Sequence, residues 1–117
     1  MADDDFKRGD VIKINFSPAI GHEIKDPHPA LIIQNDIINK KAAVLIVAAI
    51  SSEKPSTNKD RRYVFLKKGE AGLSKDSFIH CGQIRTIDKA RFISKYGNLS
   101  DDRMEEVDEA LRISLSL

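Results

Sequence analysis

The chain has 117 residues, 41% of them hydrophobic and 32% charged, with a formal net charge of +1. That length bounds it to one domain with a single modest core. No apolar run approaches the ~20 residues of a membrane-spanning helix, the acidic start Met1-Ala2-Asp3-Asp4-Asp5 is unlike a secretory signal, and the lone Cys81 excludes an internal disulfide and fits a reducing cytosol.

In chain order, residues 1–6 read as a disordered arm and Arg8-Gly9-Asp10 as a turn. Val11 to Phe16 alternates, with Ile12, Ile14 and Phe16 on one side and Lys13 and Asn15 on the other, as a half-buried strand does. A polar loop from Ser17 to Pro29 leads into a strand over Ala30–Gln34, and Asn35 to Lys41 reads as a turn or one helical turn. Ala42 to Ile50 is an unbroken apolar run that suits a strand buried on both faces, ending at Ser51. Ser52 to Asp60 is a polar loop and Arg61 to Lys67 a strand. Lys68-Gly69-Glu70-Ala71-Gly72 is a turn. Ser77 to Arg85 is a strand in which Gly82 suggests a bulge or a close backbone approach. Lys89–Phe92 reads as a helical turn and Ile93–Tyr96 as a last strand. Ser100 then caps a helix with Asp101 and Asp102 in its first turn and Met104, Val107, Leu111 and Leu115 as its apolar stripe. About six short strands and one C-terminal helix predict an α+β chain whose curved sheet closes into a small β-barrel.

The charge is unevenly placed. Between Phe6 and Leu99 there are 17 basic against 9 acidic residues, a net of +8, while the arm and the last helix hold the remaining acids. A basic body is compatible with a phosphate backbone, and equally with a solvated surface of mixed sign. Three histidines and one cysteine at no metal-ligand spacing predict no structural metal and no cofactor.

The loop Ser17–Pro29 carries the densest set of ionisable groups. Pro27 and Pro29 bracket His28, and Pro29 biases it towards an extended conformation at the mouth of a strand. Glu23, Lys25 and Asp26 share the loop. An imidazole there suits general acid–base chemistry, although a lone exposed histidine is also common. Ser51 ends the long apolar strand, where its hydroxyl either contacts an anion or caps local backbone. Lys25, Lys54, Lys59, Arg61 and Arg62 fit a phosphate track, and Gln83 could read a base edge. Aromatic side chains for stacking are scarce, with Phe16 the best placed.

The stretch Ser17 to Asp36 resembles the S-P-x-x-G-x-E-x-x-x-x-R-P-x-x-x-x-Q-N-D loop and strand of the MazF/PemK toxins, with His28 at the family's arginine. Gln83-Ile84-Arg85-Thr86-Ile87-Asp88-Lys89 and Glu106-Val107-Asp108-Glu109-Ala110-Leu111 match two further stretches in the same order, so the resemblance runs from about Lys7 to Leu117. It implies an SH3-like β-barrel of the MazF/CcdB kind with a C-terminal helix. It also implies a cytoplasmic, metal-independent endoribonuclease that cleaves single-stranded RNA to a 2′,3′-cyclic phosphate and a 5′-hydroxyl. The implied partners are a cognate antitoxin, bound through its acidic C-terminal segment, and a second copy in a homodimer.

By the same resemblance His28, Ser51 (for the family's threonine) and Glu23 are the catalytic set, and Lys25, Gln83, Lys54, Lys59 and Arg61 the RNA contacts. Gly82 stands where many members carry an acid. The competing readings are a non-catalytic RNA- or partner-binding barrel, with activity lost through His28, and a CcdB-like gyrase poison.

Overall fold

A computed structural model describes residues 5–15 and 27–117. Six strands form one sheet: β1 (Asp10–Ile14), β2 (His28–Ile32), β3 (Val44–Ser51), β4 (Tyr63–Leu66), β5 (Ser77–Asp88) and β6 (Phe92–Asn98). Their order is β4-β5-β3-β2-β1-β6, and the pairings among the described residues are antiparallel. Two helices accompany it, α1 (Asp36–Lys41) and α2 (Asp101–Leu115). Among the described residues the sheet is not closed by hydrogen bonds between its edges; instead the short 3-10 turn Glu70–Gly72 lies against β6 and gives the fold its barrel-like wrap. That contact is backbone on backbone. A Cβ on Gly72 would stand 2.1 Å from the Tyr96 carbonyl oxygen and one on Gly97 2.8 Å from the Ala71 oxygen, and Gly72 has φ +76°. Only glycine meets both demands at Gly72.

The central strands are buried on both faces, which is why β3 reads as a continuous Val/Ile/Ala run rather than an alternation. On one face Leu31, Ala48, Ile50, Val64, Leu66, Ile79 and Cys81 pack with Val107, Ala110 and Leu111 of α2. On the other, Ile12, Ile14, Ala30, Ile32, Leu45, Val47 and Ala49 form a second cluster. Phe6 belongs to this second cluster, edge-on to Phe92 at 5.1 Å, so the predicted disordered arm does not include it. Burying an aromatic ring outweighs the cost of ordering the few residues that carry it. The helix stripe also differs at its end: Leu115 is exposed, and Ala110 takes its place in the core.

The Gln34-Asn35-Asp36 triplet is explained by folding. Gln34 donates to the Asn39 side chain and the Val44 carbonyl, and Asn39 donates back to the Gln34 carbonyl, so two buried amides satisfy each other. Asn35 caps α1 by accepting from Ile37 and Ile38. Asp36 accepts from the Arg8 backbone N–H at 2.6 Å. Arg8 itself reaches the Ile33 carbonyl and Asp108, tying β2 and α2 to the N-terminal turn. Arg103 of α2 holds the 3-10 turn through a two-point contact with Glu70 at 2.9 and 3.0 Å.

Candidate active site

The strand that carries His28 starts earlier than its sequence suggests. β2 begins at His28 itself, which pairs with Ile14, and Pro29 sits in the strand opposite Lys13. The extended backbone that two prolines impose is already strand backbone, so the imidazole is mounted on the sheet rather than on the loop. β2 and β3 pair Ala30 with Ala49.

His28 and Ser51 line one open pocket of about 240 Å³ with Pro27, Pro29, Ile50 and Ser52. Its far wall comes from the segment before β5 and from β6: Leu73, Ser74, Lys75, Ser77 and Tyr96. The glycine contact at Gly72 and Gly97 joins the two segments that make up this far wall. His28 and Ser51 are each half-buried, while Ser52 and Lys75 are exposed.

Ser51 accepts a hydrogen bond from the Glu53 N–H at 3.0 Å. This is the strand-end cap that the sequence allowed. It also directs the hydroxyl: with the backbone N–H on an oxygen lone pair, the remaining O–H is a donor, as an anionic oxygen in the pocket requires. Lys75 supplies a cation at the rim that sequence reading missed. Its Ser-Lys-Asp context marks only a turn, and the chain separation from His28 hides the proximity.

Other expected residues distribute unevenly. Glu23, Lys25 and Phe16 lie outside the described residues. Lys54 and Lys59 are exposed on the β3–β4 loop. Arg61 borders a different concavity, which Glu106, Glu109 and Ile113 of α2 also line, and it is not among the residues lining the His28–Ser51 pocket. Gln83 lies in β5 beside the expected irregularity: between His80, which pairs with Ala49, and Ile84, which pairs with Ala48, the ladder slips. Gly82 falls in this bulge. Asp88 accepts from the Ala90 N–H and starts the turn before β6.

Burial pushes the Cys81 thiol up to about 12, so it remains a protonated core residue. Among the described residues, no three of His, Cys, Asp and Glu converge as a metal site would require.

An antiparallel sheet with a C-terminal helix against it, and a histidine, a serine and a lysine lining one open pocket at its strand ends, define a small barrel-like protein. The comparisons specify it further. The family model described as "PemK-like, MazF-like toxin of type II toxin-antitoxin system" matches residues 7–115, and the chain belongs to that family. It is 44% identical over 111 residues to Endoribonuclease EndoA of Bacillus subtilis (strain 168), covering 95% of each chain. Its fold is similar to that of MazF (Form-I) from Deinococcus radiodurans, with a TM-score of 0.77 at 21% identity over 96% of this chain and 97% of that one. A mycobacterial endoribonuclease in complex with its cognate antitoxin has the same TM-score at 18% identity, covering 94% of each chain.

Proposed function

We propose that this toxin-family chain is an endoribonuclease that cleaves single-stranded RNA, using the RNA's own 2′-hydroxyl as nucleophile and leaving a 2′,3′-cyclic phosphate and a 5′-hydroxyl. The observation that carries the reading is the joint lining of one pocket by His28 and Ser51, each mounted on a strand end. A neutral imidazole takes a proton from the 2′-hydroxyl, and its charged form gives one to the departing 5′-oxygen. The Ser51 hydroxyl donates to a phosphate oxygen as negative charge builds there. Lys75 at the rim offsets the phosphate charge that an arginine at position 28 would otherwise meet. The endoribonuclease name of the 44% identical relative agrees with this chemistry.

The expected setting is the cytoplasm, with a cognate antitoxin presenting acidic residues to the basic body, and a homodimer as the working form. Antitoxin complexes of fold relatives support the partner class. Incubation of the purified protein with a long single-stranded RNA in EDTA, followed by mapping of both new ends, tests the reading. Cleavage at defined positions with cyclic phosphate and 5′-hydroxyl ends is expected. Intact RNA, or cleavage that returns only on adding magnesium, overturns it, and relaxed DNA in a gyrase supercoiling assay would favour the rival reading.

A further inference from the structure

The hairpin formed by β4 and β5 carries four rings on one face. Val64, Leu66, Ile79 and Cys81 point into the cluster with α2, so Tyr63, Phe65, Phe78 and His80 face the opposite way. They are register partners in two rows, Tyr63 with His80 and Phe65 with Phe78. The rings touch in series: Phe65 to Phe78 at 5.4 Å, Phe78 to Tyr63 at 6.4 Å, Tyr63 to His80 at 4.2 Å. Three are half-buried and Phe65 is 42% exposed. At the His80 end lies Arg62. Its guanidinium is gripped by Asp60 at 2.9 and 2.7 Å and stands over Gly82, where a Cβ would come within 2.8 Å of Nη1. Burial lowers the His80 pKa, so its ring is neutral near pH 7, and its Nδ1 accepts from the Gly82 N–H.

Packing alone accounts for a cross-strand aromatic pair, but four linked rings on an edge hairpin, with no aliphatic cover among their register partners, exceed that need. Their position gives the direction. Phe78 is also the register partner of Ser51, so Ser51, Phe78 and Phe65 form one row across three adjacent strands. At about 4.8 Å per strand, Phe65 lies about 10 Å from Ser51. Ala49, the partner of His80 in the next row, is too small to screen the rings. We propose that Phe65, Phe78, Tyr63 and His80 form a stacking platform for bases of single-stranded RNA beyond the nucleotides that flank the cleaved linkage, ended by the Arg62 guanidinium. Aromatic faces beside a cation bind single strands with little sequence preference. This proposal rests on the ribonuclease reading and adds to it the surface that holds the strand.

The test uses the intact protein with two single strands that span a mapped cleavage position, a trinucleotide and a longer strand, each made uncleavable by 2′-O-methylation for binding. Phe65→Ala should weaken the longer strand roughly tenfold or more, leave trinucleotide binding and trinucleotide cleavage unchanged, and be rescued by Phe65→Tyr but not by Phe65→Leu. Equal affinity of Phe65→Ala and wild type for the longer strand overturns the platform, as does equal weakening of both strands or full rescue by Phe65→Leu. If Phe65→Ala spares RNA and instead weakens antitoxin binding or self-association, the face belongs to a protein partner and the proposal is wrong. Wild type that cleaves normally while the variants show no length effect overturns the platform alone. Wild type that neither binds nor cleaves any RNA overturns the ribonuclease reading as well.

Discussion

Ser51 and Phe78 stand opposite each other across β3 and β5, so the hydroxyl that lines the pocket begins the row of side chains that ends in exposed rings. The proposed chemistry at the strand ends and the proposed platform on the hairpin face thus rest on one sheet. Sites built on strands hold their geometry better than sites built on loops.

Ser51→Ala removes a donor proposed to act on charge that develops only in the transition state. The single-turnover cleavage rate should fall roughly 100-fold, with RNA affinity almost unchanged. The same substitution frees the Glu53 N–H, which is exposed to water, so the fold should hold. Rate and affinity measured on one RNA check this, and parallel losses in both would make Ser51 a binding group only.

The basic excess of +8 in the body should appear as counterion release. Affinity for single-stranded RNA is expected to fall steeply with salt, by about 0.7 log units per log unit of salt for each phosphate neutralised. Titrations across a salt series give the slope directly. A flat response would mean that Lys54, Lys59 and Lys75 are solvated surface.

Arg103 holds the Glu70 carboxyl below the usual carboxylate range, with help from the Lys67 N–H. A depressed folded pKa means the contribution is present above the ordinary value of 4.5 and is lost as pH falls through the lower folded value. Stability should therefore decline on acidification below that point. Glu70→Gln should cost about 1–2 kcal/mol near neutral pH and flatten this part of the decline. Denaturant melts of both proteins at several pH values check it; identical pH profiles would show that the Glu70–Arg103 contact is not coupled to folding.

The elements were legible in the sequence where one signal dominated. The apolar run ending at Ser51, the Ser100 cap and the Gly82 bulge each rest on local chemistry. Pairing was not. Tyr63 and Phe65 read as strand residues, Phe78 and His80 likewise, and only the register shows that all four share one face beside Ser51. Lys75, Ser77 and Tyr96 were invisible as pocket residues for the same reason, since only the tertiary fold brings them to the pocket that His28 lines. Leu115 failed differently: its helical spacing is right, but at the last turn of α2 it is exposed, and the buried positions end at Leu111.

An arginine has no ionisation in the range where imidazole titrates. The wild-type cleavage rate should therefore depend on pH where imidazole titrates, and His28→Arg should keep activity with a flatter profile. Rates of both proteins over that range check it, and the same inflection in both would assign the titration to another group.

The most direct measurement is single-turnover cleavage of one single-stranded RNA by wild type and His28→Ala, with matched thermal melts to show that both are folded. His28→Ala is expected to lose activity by about 100-fold or more while its melt stays close to wild type. Equal cleavage by the two proteins would contradict it and move the chemistry away from the imidazole on β2.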